Sequence, residues 1–167
     1  MEPFDLRKCH QLKTALGEQH DPLIIDQIAI DSRRISSKNA LFVALQGFHF
    51  DGHDFIKQAY RAGARTCIVK HDINLDHMPS AIKFIKVLDP LKALQHIAAT
   101  YRQEMPAKVI AITGSYGKTM LKDLLHHLFS SSYCTYTSPE SFNSQLGVAL
   151  SLLQIRKEHN IAIIEAG

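Results

Sequence analysis

Cysteine is scarce in this sequence, and what there is does not pair. Cys9, Cys67 and Cys134 stand far apart, odd in number and without a CxxC spacing. That leaves no basis for a disulfide framework or a cysteine-built zinc site. No block of Lys and Arg occurs and the net charge is only +3, so nucleic acid is not an expected partner. The opening residues "MEPFDLRKCH" lack the apolar centre of a signal peptide. No apolar stretch approaches the ~20 residues needed to cross a bilayer. The expectations are a cytoplasmic, reducing compartment and no membrane insertion. Internal repeats and low-complexity segments are also missing.

What is present is ordinary globular material: 167 residues, 46% apolar and 21% charged. That is enough for one large domain or two small ones, and a chain near this size buries roughly 70% of its unfolded surface. Ten histidines invite a metal reading. However, His126 and His127 are adjacent and point to different helix faces. His49 and His53 are four apart in a stretch whose Gly and Asp residues favour a turn. Solvated or capping histidines are the alternative.

Short β-type runs alternate with helical patterns. Residues 41–45, 66–70, 82–87, 108–113, 133–137 and 161–165 read as strands. "DFIKQAYRAGA" sets Phe55, Ile56, Ala59 and Tyr60 on one helix face, with Gly63 as a stop. "PLKALQHIAATYRQ" opens on Pro90 and repeats Leu91, Leu94, Ile97, Ala98 and Tyr101 at helical spacing. "TMLKDLLHHLF" carries Leu121, Leu124, Leu125, Leu128 and Phe129 as an apolar stripe. "GVALSLLQI" is apolar nearly all round and reads as buried. The alternation predicts an α/β fold. From residue 108 the order is βαβαβ, with mostly continuous apolar strands suited to a sheet covered on both faces. A boundary is expected near Asp89-Pro90.

Between Val109 and Leu125 runs "VIAITGSYGKTMLKDLL". A glycine-bearing turn between a strand and a helix is the setting a phosphate loop needs. Gly114 and Gly117 let backbone N–H groups converge on phosphate oxygens, and Ser115 sits among them. The helix starting near Lys118 adds its positive end. Lys118 is placed to reach terminal phosphates, and the Thr119 hydroxyl to hold Mg²⁺. The loop is GxxGKT, shorter than GxxxxGK[ST], and a plain strand–helix turn with an exposed lysine is the alternative. "IAIIE" ends on Glu165. Parallel strands around one helix would bring Glu165 and Thr119 to the same carboxyl edge, making Glu165 a candidate metal ligand. The alternative is a strand-ending glutamate facing water. The sequence stops two residues later, so the expectation is a chain cut within its second domain.

Taken in order, "AIDSRRI", "ALFVALQGFHFDGHDFIKQAYRAGAR", "ITGSYGKT", "SPESFNSQLGVALSLL" and "IAIIEAG" resemble the Mur ligase family, ATP-dependent enzymes of peptidoglycan assembly. The likeness is greatest to the type that adds D-alanyl-D-alanine, and to the ligase half of bifunctional proteins with a downstream alanine racemase domain. The resemblance implies a small N-terminal α/β UDP-sugar-binding domain over residues 1–88. The first part of a P-loop-type central ATP-binding domain would follow over 89–167. It implies joining D-Ala-D-Ala to a UDP-MurNAc-tripeptide through an acyl phosphate, with ATP and Mg²⁺. Pyridoxal phosphate enters only if a racemase follows. By this resemblance Lys118 and Glu165 are catalytic, and Gly114, Ser115, Gly117, Lys118 and Thr119 bind the ATP phosphates. Thr119 and Glu165 hold the metal. Asp31, Ser32, Arg33, Gly47, Asp51, His53 and Asn143 bind the UDP substrate, beside Gly52 and Phe55. Asp51 or Asp54 could instead cap a helix. Ser141 and Ser144 replace two asparagines common in the family, and Tyr116 stands where a smaller or polar residue is usual. These 167 residues alone are expected not to ligate. A sibling ligase, an unrelated phosphate-loop kinase or ATPase, and a non-catalytic sugar-nucleotide module are the rival readings.

Overall fold

The structure, a computed structural model, describes residues 1–17, 21–48, 50–139 and 142–167. His49 and Ser141 lie outside the described residues. Residues 3–97 form one compact unit, and residues 1–2 with 98–167 form the other.

In the first unit, β1 (Phe4–Asp5), α1 (Lys13–Leu16) and β2 (Ile24–Ile25) come first, with β1 and β2 antiparallel. Then follow β3 (Gln27–Ala29), β4 (Ala40–Val43), α2 (Ile56–Ala62), β5 (Thr66–Lys70), β6 (Lys83–Val87) and the start of α3 (Pro90–Gln103), whose residues from Ala98 on belong to the second unit. Strands β3-β4-β5-β6 lie in that order, all parallel. Strand β4 is buried along its whole length, as a strand covered on both faces must be. Phe42, Cys67 and Val69 pack with Ile56 and Ala59 of α2 in one core. Burial pushes the Cys67 thiol up to about 12, which leaves it unreactive. Gly63 ends α2 at φ +123°, where a side chain would be strained. Asp89 caps α3 by accepting from Leu91 N at 2.9 Å and Lys92 N at 3.0 Å, with Pro90 at the first helical position. The short strands β1, β2 and β3 were not expected, because two or three residues carry no readable period.

In the second unit, β7 (Lys108–Ile112), α4 (Lys118–Ser130), β8 (Thr135–Thr137), α5 (Gln145–Leu152) and β9 (Ile161–Glu165) build a parallel sheet in the order β7-β9-β8. Central β9 is the buried strand. The Tyr101 hydroxyl donates to Ile155 O at 2.7 Å and accepts from Glu2 N at 2.9 Å. The stripe on α4 is where structure and expectation part. Leu121, Leu124 and Leu128 are 44%, 53% and 58% exposed, whereas Lys122 is buried. The inner face is Lys118, Lys122, Leu125 and Phe129, one residue, or roughly 100°, round from the three exposed leucines. The start of the helix sets this phase: Lys118 and Thr119 are both tethered, so positions four, seven and eleven after Lys118 turn inward. The described residues contain no helix long and apolar enough to cross a membrane.

Candidate active site

Strand β7 ends at Ile112, in register with Glu165 of β9. The chain then turns through residues 113–117 into α4. Gly114 has φ +139° and Gly117 φ +75°. A Cβ at either would meet nothing within 4 Å, so glycine is needed for the backbone conformation and not for room. No side chain caps α4. Its first amides and the positive end of its dipole are therefore left for an anion. Lys118 curls back, and its ammonium donates to the Gly114 carbonyl at 2.6 Å. Ser115 is exposed, and Tyr116, 96% exposed, points into solvent at the tip.

On the far side of that turn the Thr119 hydroxyl donates to Glu165 Oε2 at 2.9 Å. Asn143, in the loop after β8, donates through Nδ2 to Glu165 Oε1 at 3.2 Å. Three segments that follow or end parallel strands thus meet at one carboxyl edge. Glu165 is only 7% exposed, yet its carboxyl sits below its ordinary range. The Thr119 hydroxyl is the main cause; burial opposes it, and the Asn143 amide and the charges of Lys122 and Lys118 assist. The result is an ionised carboxylate and a hydroxyl side by side, all-oxygen donors of the kind a hard divalent cation takes.

Ser144 has a different task from that of a substrate-facing asparagine. Its hydroxyl accepts from Gly147 N at 3.1 Å and caps α5. Gly147 itself has no alternative, since a Cβ there would lie 2.6 Å from Phe142 Cα.

In the other unit, two segments follow parallel strands. After β3, Asp31 caps a short turn of helix, Ser32–Arg34. Arg33 grips Asp31 through Nε and a terminal nitrogen, the latter at 2.8 Å. That guanidinium holds Asp31 down at about 2. The Arg33 side chain is 79% exposed and keeps further N–H donors for a ligand. Ser32 is buried. After β4, Gly47 N donates to Phe50 O at 2.9 Å, and Gly52 N to Leu45 O at 2.8 Å. A Cβ on Gly52 would lie 2.6 Å from Leu45 N. Asp51 accepts from His53 N at 2.9 Å and faces His53 Nδ1. For Asp51, burial pulls upward, but the His53 amide and ring and nearby Lys70 outweigh it, and its carboxyl is lowered. His53 Nε2 accepts from Lys70 N at 3.0 Å, so the ring proton sits on Nδ1, toward Asp51. Both ring nitrogens of this buried histidine are engaged within the chain. It is neither solvated nor a helix cap, and it ties the β4 turn to the end of β5.

Two residues beside the candidate site were not singled out from sequence. Lys122 donates to Ser138 O at 3.1 Å, and Ser138 Oγ accepts from Glu165 N at 3.0 Å. The spacing of Lys122, four residues after Lys118 and hence on the same helix face, was the available signal. Among the described residues no group of three or more His, Cys, Asp or Glu is arranged to hold a metal.

Comparison with known proteins adds an independent line. The model described as "Mur ligase family, catalytic domain" matches residues 24–102, and "Mur ligase middle domain" matches residues 112–167. A UDP-N-acetylmuramoyl-tripeptide–D-alanyl-D-alanine ligase of Bacillus subtilis is 35% identical over 154 residues, covering 92% of this chain and 33% of that protein. Its namesake in Escherichia coli is 36% identical, covering 87% and 31%. A crystal structure of MurF from Acinetobacter baumannii superposes with a TM-score of 0.84 at 34% identity, over 100% of this chain and 36% of that one. The Thermotoga maritima MurF ligase in complex with ADP gives 0.72 at 28% identity, over 83% and 31%. The chain spans about a third of the length of the curated relatives it matches.

Proposed function

This chain belongs to the Mur ligase family, and on that premise we propose that it supplies the sugar-nucleotide and triphosphate sites of an ATP-dependent amide ligase. The reaction is the cytoplasmic joining of D-alanyl-D-alanine to a UDP-N-acetylmuramoyl-tripeptide, a step of peptidoglycan precursor synthesis. A peptide carboxylate attacks the ATP γ-phosphate, and the dipeptide amine then displaces phosphate from the acyl phosphate. Residues 1–88 form the UDP-sugar domain and 89–167 belong to the central ATP-binding domain. Catalysis belongs to a protein of the relatives' length, and these 167 residues do not ligate alone.

In this reading the loop amides from Gly114 to Thr119 cradle the polyphosphate. Lys118 exchanges the Gly114 carbonyl for a terminal phosphate oxygen, a short swing for a flexible ammonium. Two anions must be brought together for the first step, and the loop amides hold one of them while Lys118 swings to it. Thr119 and Glu165 fit Mg²⁺ through their paired oxygens, with Asn143 keeping the carboxylate oriented. When bound, Mg²⁺ supplies neutralisation of the charge growing on the phosphoryl oxygens. Arg33, Ser32, Asp31, Gly47 and Asp51 address the UDP substrate, and His53 serves them by fixing the turn.

The observation that carries this is the contact of Thr119 with Glu165, 46 residues apart in sequence, beside a loop with two positive-φ glycines. Calorimetric titration of the chain with ATP and Mg²⁺ tests it, expecting binding that is lost in Lys118→Ala. In the protein of the relatives' length, phosphate release should require both the UDP-tripeptide and D-Ala-D-Ala. ATP binding that survives Lys118→Ala would sink the assignment.

A further inference from the structure

Helix α4 has one buried residue, and it is a lysine. Lys122 is 3% exposed. Taking an ammonium out of water costs several kcal/mol, and a methionine would fill similar space without a charge, so the charge needs a reason. Asp123 does not provide it: its carboxylate is 4.0 Å away and its side chain 70% exposed, where water screens such a pair. The close acceptor is the Ser138 carbonyl at 3.1 Å.

Ser138 is the place to hold. It is 1% exposed and lies just past β8. Its N–H donates to Ile163 O at 3.0 Å, and its hydroxyl accepts the Glu165 N–H at 3.0 Å. Ser138 therefore clamps the last residues of β9 on both sides of Ile164, and Lys122 clamps Ser138. Lys118 and Lys122, one turn apart on one helix face, divide the work: the first faces the loop, the second the Ser138 carbonyl just past β8.

We infer that Lys122 is a positioning residue: through Ser138 it holds Glu165 where, with Thr119, it takes the nucleotide-bound cation. This rests on the reading of Thr119 and Glu165 as the holders of that cation. Lys122 itself touches no substrate. Without it the buried Ser138 carbonyl loses its donor, and the strand end that aims Glu165 loses its brace.

The test is the affinity of the chain for ATP with and without Mn²⁺, the probe cation, read as a ratio. General loss of folded protein cancels in that ratio, so a merely structural lysine would leave it alone. In Lys122→Met the ratio should fall about 10- to 100-fold, the usual cost of removing an outer-shell partner. Metal-free ATP affinity should stay near that of the unaltered chain, and Lys122→Arg should recover part of the ratio. A folded Lys122→Met chain with an unchanged ratio overturns the inference. If Lys122→Met does not fold, as judged by circular dichroism, Ser138→Ala decides, since it removes the hydroxyl that holds Glu165 N–H. A lowered ratio there supports the inference and an unchanged one overturns it. An unaltered chain that gains nothing from Mn²⁺ would instead strike the proposed cation site itself.

Discussion

The two units place their chemistry at the same address, past the carboxyl ends of parallel strands, and prepare it in opposite ways. In residues 3–97 the charged groups are already satisfied by one another. Arg33 closes on Asp31, and Asp51, His53 and the Lys70 amide form a chain of hydrogen bonds. In the unit containing residues 98–167, donors are gathered around a buried acid and an uncapped helix end. The first arrangement makes a stiff surface with a mostly exposed arginine. The second concentrates unsatisfied amides and an ionised carboxylate where an anion and a cation would complete each other.

The largest expected effect comes from removing charge on each side. In the protein of the relatives' length, Lys118→Ala should lower turnover by on the order of 10²–10³-fold, as for other lost donors to a developing anion, with UDP-substrate affinity nearly unchanged. Arg33→Ala should instead raise KM for the UDP substrate and leave kcat nearly alone. Steady-state kinetics with each substrate varied in turn checks the split. Both variants changing the same parameter equally would erase the contrast between the units.

Next in size are two glycines that the fold cannot replace. A Cβ on Gly52 would sit 2.6 Å from Leu45 N, and one on Gly147 2.6 Å from Phe142 Cα. These are backbone collisions that no side-chain rotation relieves. Gly52→Ala and Gly147→Ala should each destabilise by about 3 kcal/mol or more, seen in urea denaturation. Gly114→Ala has open space and should suffer only its positive φ, about 1–3 kcal/mol. Comparable losses at all three would mean that the positive φ of Gly114 alone costs as much as the backbone collisions at Gly52 and Gly147.

The candidate site was more legible in the sequence than the packing around it. An apolar run, a GxxGKT turn and a helical pattern placed the loop, and "IAIIE" placed the acid, because apolar runs announce strands by composition, although of the sheet expected to be covered on both faces β9 is buried and β7 is largely open. Strands 66–70 and 161–165 were read to the residue. The facing of α4 was not, since hydrophobic periodicity reports an apolar stripe and not which tether sets the helix's rotation. Ser144 as a cap and His53 as a buried pin were hidden for a related reason. A hydroxyl or an imidazole looks the same in sequence whether its partner is a ligand or the chain's own amide.

Capping offers a smaller, sharper probe. Asp51→Ala removes the acceptor of the His53 amide and strands a buried ring N–H, so it should cost about 1–3 kcal/mol. Ser144→Ala removes only the cap of α5 and should cost about 1 kcal/mol. Thermal denaturation of both variants ranks them, and a reversal would mean that the loop before α5 is the stiffer of the two.

The smallest effect is in acid. The Asp31 carboxyl is held at about 2 by the Arg33 guanidinium, against an ordinary value of 3.8. A folded value below the unfolded one means that the pair stabilises fully above pH 4. That contribution is lost as pH falls from about 4 through about 2. The pair is exposed, so salt should shrink the effect. Glu165 is lowered too, but chiefly by the Thr119 hydroxyl, a neutral donor, so salt should change its titration less. Carboxyl ¹³C titrations at low and high salt distinguish the two: Asp31 should move toward its ordinary value with added salt while Glu165 stays nearly where it was. Equal movement of both would show that the buried acid is held by distant charge and not by the hydroxyl beside it, and the contrast between the units would then be one of degree.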